Sequence, residues 1–289
     1  MSFLHHIQIC NRWPAERFMP LFIAGQRFGW VTQAFAAVLE GFGPPFALTQ
    51  GAVVFGAELP TAVERTKAFD ESLDALVEKA GAQAGHNFRR RGELYPVVRR
   101  WGDAPVMLMD RGAVASFGIR SFGVHLNGFV RDKSRLSLWV GKRALDKAVA
   151  PGKLDHLVAG GQPYDLSLRE NLIKEAGEEA SLSPEIAGRA KPVGALNYLT
   201  YWENQIRDDV LFVYDLELSA GMEPHPRDGE MQYFELWPLA KVMRCVEETD
   251  AFKFNVNLVL IDFFIRHGAL DPERPDYLDI LSGLHSPLD

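Results

Sequence analysis

AGGQPYDLSLRENLIKEAGEEASL, residues 159–182, is the stretch on which the reading of this chain turns. Gly160 and Gly161 permit a tight backbone and close approach by a neighbouring group. Ser167 is suited to cap a helix, and Glu170 three residues later completes a capping box. Leu168, Leu172 and Ala176 recur every fourth residue, Ala180 extends the ridge and Ile173 sits beside it, so one helix face packs inward. Glu175, Glu178 and Glu179 stand at i, i+3 and i+4, which puts three carboxylates on one face of the same helix. Such charges repel one another, and they lie toward the helix C-terminus, where the macrodipole also disfavours them. A bare ExxEE reads first as a solvated acidic face. The glycine pair ahead of the helix shifts the reading toward a hard divalent cation, because magnesium takes oxygen ligands from one or two carboxylates and from substrate phosphates.

Outward from this helix, Phe122–Arg131 and Leu136–Lys142 predict strands, and Leu157–Gly161 leads into the helix at Ser167–Ala180. Val193–Thr200, Val210–Leu218 and Met231–Pro238 predict further strands. Leu239–Val246 and Asn255–His267 predict helices, the second ended by Gly268, with an irregular tail after Asp271. Strands, one helix behind a glycine-led loop, more strands and a helix together suggest a mixed α/β sandwich over residues 116–289. Residues 1–115 read as a smaller α/β domain. There Thr61–Ala80 is a helix capped by Thr61 and Glu64, with Val63, Phe69, Leu73, Leu76 and Val77 inward and Gly81 and Gly85 ending it. Gln26–Gln33, Val53–Phe55, Glu93–Val98 and Val106–Asp110 are strands, Thr32–Glu40 is a short helix, and a helix is expected within residues 1–24.

The 289 residues suit two modest domains, and 47% apolar with 24% charged residues is an ordinary globular composition. A formal charge of −7 weighs against a general nucleic-acid binder. The run Arg89-Arg90-Arg91, with Arg99-Arg100 close by, reads first as a solvated turn and second as an anion site. The start lacks the long apolar core of a signal peptide. Phe254–Ile265, interrupted by Asn255, Asn257 and Asp262, is too short to span a membrane. Cys10 and Cys245 form no CxxC pair and suit a reducing compartment. The expectation is a cytoplasmic protein with neither nucleic acid nor membrane as partner.

The same stretch resembles the box of the Nudix (MutT-like) hydrolase family, G-x5-E-x7-R-E-U-x-E-E-x-G-U, where U is a bulky aliphatic. Gly160 takes the Gly position, Lys174 the Arg position, Glu175 follows, and Glu178-Glu179 form the EE pair. Ala176 is small for U, Ser181 replaces the final Gly, Leu182 closes the box, and Leu166 stands where the first Glu belongs. The resemblance implies a Nudix-type α/β/α sandwich with a mixed sheet and hydrolysis of a diphosphate linkage in a small-molecule substrate. It implies Mg2+, with Mn2+ as an alternative. It also implies Glu175 and Glu179 as principal metal ligands, Glu178 as ligand or water activator, and a contribution from the Gly160 carbonyl. Gly161 supports the loop. Lys174 keeps the motif's charge but loses the bidentate fork that orients a ligand carboxylate. Glu230 best matches the family's additional ligand or base and Glu235 comes second; a polar loop is an equal reading for both.

The resemblance widens through ELYPV at 93–97, FGIRSFGVHLNGFV at 117–130 and LWVGKRALDKAVAPGKLDHLVAGG at 138–161. These look like the Nudix branch related to the domain fused to thiamine pyrophosphokinase in some fungi, which implies thiamine diphosphate or its damaged analogues as substrate. In that branch the N-terminal domain has no assigned role; shaping the pocket and forming a homodimer interface are both open. Arg120, Lys142 and Arg143 suit phosphate oxygens, while His125 and Asn127 lie on the strand feeding the site. Tyr198–Trp202, including Tyr198, Tyr201 and Trp202, is a candidate wall for an aromatic ring; Trp139 belongs in the core, and Asp208 and Asp209 read as surface turn residues. The competing readings are a non-catalytic Nudix-fold ligand binder and a hydrolase of ADP-ribose or dinucleotide type. An isomerase on this fold would want a cysteine facing a glutamate, which Cys10 and Cys245 suit poorly.

Overall fold

The computed structural model describes residues 1–84, 88–133, 135–147, 149–202 and 205–285. The chain opens with α1 (Phe3–Cys10), a short 3-10 turn and β1 (Phe18–Ile23), then β2 (Gln26–Thr32), α2 (Gln33–Phe42), β3 (Phe46–Thr49) and β4 (Ala52–Phe55). α3 (Ala62–Ala84), the hairpin β5 (Leu94–Val97) and β6 (Met107–Asp110), and α4 (Arg111–Val114) complete the first half. The four-stranded sheet runs β2-β1-β4-β3, with β1 and β4 parallel. The Thr61–Glu64 capping box starts α3 as expected. Phe69, Leu73, Leu76 and Ala80 point into the core, whereas Val63, expected inward, is exposed. Gly81 lies inside the helix rather than ending it, and Gly85 is outside the described residues. The helix expected within residues 1–24 is α1, and residues 18–23 are instead a strand with Phe18, Leu21 and Ile23 buried. Pro20 is tolerated because pairing with β4 begins only at Leu21, so its missing N–H interrupts nothing on that side.

The second half holds β7 (Ser121–Asp132), β8 (Arg135–Arg143), β9 (Leu154–Asp155), β10 (Val158–Gly161), α5 (Leu168–Ala180), α6 (Pro184–Ala187), β11 (Lys191–Trp202), β12 (Gln205–Glu217) and β13 (Met231–Pro238). α7 (Leu239–Glu248), α8 (Val256–Arg266) and α9 (Tyr277–Leu284) follow, α9 forming within the tail expected to be irregular. The sheet order is β11-β12-β7-β8-β13, mixed because β7 and β12 are parallel while the other pairs are antiparallel. β10 adds to the first half of β7, with Val158 opposite Leu126 and Gly161 opposite Gly123. One face of the sheet packs Val124, Leu126 and Leu216 against Leu172, Ala176 and Ala180 of α5. The other packs Leu196, Leu211 and Val213 against α8. Helix, mixed sheet and helix thus form the expected sandwich. α1 belongs to that second core, where Phe3, Ile7 and Cys10 join α8 and α9. The division drawn at residue 115 is therefore crossed by the chain's first helix.

Candidate active site

α5 begins with the expected capping box, Ser167 and Glu170 each satisfying the other's backbone N–H. Its apolar ridge fixes the helix against β10 and β7, which orients the glutamate face. The three carboxylates then meet different surroundings. Glu179 is buried, at 3% exposure, and accepts the Ala159 N–H at 3.0 Å. Burial pushes its carboxyl well above the usual range, the Ala159 bond opposes this, and Glu175, Asp155 and Glu230 push the same way as burial. Glu175 lies against Gly160: a Cβ there would overlap the Glu175 side chain and come within 2.9 Å of Oε1. Burial raises Glu175 too, with Lys174 opposing. Glu178 is half-exposed. The Lys174 ammonium lies 3.1 Å from both Glu175 Oε1 and Glu178 Oε2, bridging the two carboxylates.

The adjacent glycine has a different neighbour. A Cβ on Gly161 would overlap the hydroxyl of Tyr95 and lie 3.5 Å from Arg111 Cζ, so the β5–β6 side of the N-terminal half rests directly on β10. A cleft of about 1160 Å³ opens here, lined from the N-terminal half by Arg89, Arg91, Tyr95 and Arg111, and from the second half by Gly160, Gly161, Arg143, Tyr198, Glu230 and Lys253 among others. The three glutamate side chains do not themselves line it; they stand behind Ala159–Gly161, which do. Glu230 faces the cleft and pairs with Lys147 at 2.6 Å. Glu235 accepts the Trp237 indole N–H at 2.7 Å and is not among the cleft residues.

The residues expected to bind substrate divide. Tyr198 lines the cleft but is fully buried; its hydroxyl donates to Asp209 and accepts from Asn255 Nδ2 at 3.2 Å, so it is a support and no stacking wall. Arg143 reaches the cleft while its guanidinium is held by Asp155 at 2.8 Å and by the carbonyls of Val149 and Ala150. Lys142 falls outside the lining, because alternation along β8 turns neighbours to opposite faces. Arg120 also lies outside it, bound to Asp208 at 3.0 Å and to the Arg99 carbonyl at 3.1 Å. Trp202 is not among the cleft residues, although it stacks on Phe254, which is. Asp208 and Asp209 are not turn residues: both belong to β12, and Asp209 accepts from Ser121 and Tyr198.

Sequence reasoning gave the run holding Arg91 only second place as an anion site, missed Arg111, and missed a buried polar row. His125 Nδ1 and His156 Nε2 are 2.8 Å apart, and His156 Nδ1 is 3.1 Å from Asp155, which Arg143 also grips. Burial would raise Asp155, but Lys253, His156 and Arg143 hold it far below the usual carboxylate range. Burial drives His125 well below its ordinary value, and His156 adds to this, so His125 is neutral at pH 7. Cys10 is buried under α8, bonded to the Phe254 carbonyl, and Cys245 lies on α7; neither lines the cleft.

Among the described residues no three His, Cys, Asp or Glu side chains converge to cage a metal by themselves. A magnesium site asks for less, one or two carboxylates plus substrate oxygens. The donors around Gly160 fit that need. Gly160 leaves room for the Glu175 carboxylate, the buried Glu179 has a single backbone N–H as hydrogen-bond partner among the described residues, and Lys174 already occupies a cation's place between Glu175 and Glu178.

Residues 2–121 match a family described as a domain of unknown function, DUF4743. Over 297 aligned residues the chain is 40% identical to "Nudix hydrolase 20, chloroplastic" of Arabidopsis thaliana, covering 99% of this chain and 78% of the relative. It is 39% identical over 289 residues to "Nudix hydrolase 24, chloroplastic" of the same organism, again covering 99% and 78%. A crystal structure of DR0079 from Deinococcus radiodurans aligns with a TM-score of 0.44 and 18% identity, over 59% of this chain and 96% of that one. Likeness of this degree along nearly the whole length, joined to a glutamate helix set behind its glycine pair, establishes that the chain belongs to the Nudix hydrolase family.

Proposed function

We propose that this Nudix hydrolase cuts a diphosphate linkage in a small molecule with the help of Mg2+ or Mn2+, and that thiamine diphosphate or a damaged analogue is its substrate. The observation that carries the first part is the fit of Glu175 to Gly160 beside the buried Glu179, at the margin of a cleft large enough for a coenzyme-sized ligand. Glu175 and Glu179 would hold the cation with the Gly160 carbonyl. When bound there, it supplies charge neutralisation for the diphosphate and a water of lowered pKa. The chain's own residues do the rest. Glu230 faces the cleft and is placed to accept a proton on its carboxylate, with Lys147 fixing its orientation. Lys174 keeps Glu175 and Glu178 from splaying apart. The half-buried Phe254 gives the cleft apolar surface for an aromatic ring, which supports a thiamine-like substrate. Two free cysteines are consistent with work in a reducing compartment such as the cytoplasm.

The test is a panel of thiamine diphosphate, its oxidised analogues, ADP-ribose and dinucleotides, incubated with the protein and magnesium, with monophosphate products measured. Turnover of thiamine-type diphosphates ahead of the rest is the expected result. Turnover of ADP-ribose or dinucleotides instead would move the substrate class. Tight binding of one compound with no turnover of any would replace the hydrolase reading with that of a ligand-binding protein.

A further inference from the structure

The domain of unknown function contributes a wall to the cleft, and its chemistry is specific. We infer that this domain grips the diphosphate of the ligand, with the guanidinium groups of Arg91 and Arg111 holding its oxygens across the cleft from the glutamate helix. The inference rests on the reading above that the ligand carries a diphosphate.

The wall is built around one buried carboxylate. Asp110, 3% exposed, accepts the backbone N–H groups of Arg91 at 2.9 Å, Gly92 at 2.7 Å and Gly112 at 2.8 Å. It thereby clamps the loop carrying Arg89–Gly92 onto the start of α4. Gly92 takes a φ of +74°, and a Cβ on Gly112 would overlap the Arg89 carbonyl, so the two segments touch backbone to backbone. Arg89, Arg91 and Arg111 then all reach the cleft from a fixed frame, while Arg90 turns away to Asp70 and Asp74. The Tyr95 hydroxyl against Gly161, together with the Tyr164 N–H bond to the Leu94 carbonyl at 2.9 Å, sets how close this frame stands to β10.

Charge balance gives the wall its purpose. Arg111 pairs with Glu93 at 2.9 Å, but the Arg91 guanidinium has no hydrogen bond or ion pair among the described residues. Burial lowers the Arg91 pKa, and Arg89 and Arg111 lower it further, which marks three cations gathered closely enough to repel. Arg111 also acts on Glu175, which stands behind Ala159–Gly161, while Glu230 acts on Arg91 and faces the same cleft as both arginines. Folding gains nothing from such a gathering, and an anion between the two sides offsets it. Arginine's planar fork matches phosphate oxygens, and a diphosphate offers enough of them to meet two guanidinium groups and a cation together.

Methylenediphosphonate, which the enzyme cannot cut, tests this directly. It is titrated by calorimetry, with magnesium, into the full chain and into the Arg91→Ala, Arg111→Ala and Lys67→Ala variants. Loss of one charge-assisted bond should weaken binding by roughly 10- to 100-fold in each arginine variant. Lys67→Ala, on the exposed face of α3, should bind as wild type does. With a substrate that turns over, the arginine variants should raise KM and largely keep kcat, since the wall binds the ligand in ground and transition states alike. Wild-type affinity in Arg91→Ala and Arg111→Ala, or no binding by the wild type, overturns the inference. Should Arg111→Ala fail to fold for want of its Glu93 pair, Arg91→Ala decides, because that side chain holds nothing else. A wild type that binds the probe but cuts no diphosphate sinks the hydrolase reading alone, and the arginine contrast still judges the wall.

Discussion

Gly160 is defined by what it lacks. A methyl group there would occupy the space of the Glu175 side chain, so Gly160→Ala must displace the carboxylate by a sizeable fraction of an ångström. Displacements of that order in a catalytic group cost about 100-fold in rate. We expect a loss of that size in kcat/KM, with circular dichroism unchanged; full activity would separate Gly160 from the metal site. Glu179→Gln makes the complementary case. The amide oxygen can still accept the Ala159 N–H, so the fold should persist while metal-dependent activity is mostly lost. Stability should move the other way. Burial raises the folded pKa of Glu179 above the unfolded value of about 4.3, so the carboxyl favours folding most below that value and loses the benefit as pH rises through the folded pKa. In the presence of a chelator the Gln variant should therefore melt at or above wild type at neutral pH, and the advantage should vanish near pH 4. A lower melting point at pH 7 would contradict this account. The Gly160–Glu175 pairing was legible because both partners lie within one short motif. Gly161 was not legible in the same way, since its partners Tyr95 and Arg111 are set by tertiary packing across long stretches of chain. Lys142 and Arg143 show a different failure: a basic pair looks like one patch until the strand sends its members to opposite faces.

At the scale of elements, periodicity located most strands and helices, and what it missed was decided by neighbours. Phe18–Ile23 looks unsuited to a strand because of Pro20, yet β2 and β4 supply its partners. Tyr277–Leu284 follows two prolines and still forms a helix, because Ile280 and Leu284 find the α1–α8 core. How α8 is tied to the sheet leaves no local trace either. Asp215 on β12 accepts from Arg266 at 2.5 Å, from Asn127 Nδ2 at 3.0 Å, and lies 3.1 Å from His267 Nε2. Burial would raise its pKa, but the bonds from His267, Arg266 and Asn127 hold it below the usual value. A depressed carboxylate contributes stability above its unfolded pKa and loses it as pH falls through the folded one. Asp215→Asn should thus cost roughly 2 kcal/mol at pH 7, less than a fully buried pair because Arg266 retains some solvent contact. Its stability should also fall less steeply than that of wild type below pH 4. Parallel acid-unfolding curves for the two proteins would show that the clamp carries no linkage.

For the whole molecule the decisive feature is how the chain is threaded. One core lies in the N-terminal sheet with α2 and α3, another surrounds α8, and the cleft runs between the halves. Two cores with a cleft between them could melt separately. α1 opposes that: it packs in the α8 core, and the chain then leaves to begin β1 in the other half, so the second half does not contain all of its own stabilising residues in one continuous segment. Ile7 is buried in this arrangement, 2% exposed, with its Cγ2 close enough to Gly283 of α9 to overlap a Cβ there. Ile7→Ala should open a cavity between α1, α8 and α9 and cost about 2–5 kcal/mol. Scanning calorimetry of the wild type should show one endotherm, which Ile7→Ala moves as a unit to lower temperature. Two endotherms, of which the variant moves only one, would mean that the halves unfold independently. The cleft would then be a contact between separate bodies, and Arg91 and Arg111 would stand opposite the glutamates only while that contact lasts. A single transition keeps them fixed in one frame, and that is the condition under which arginines from one domain can serve chemistry assembled by the other.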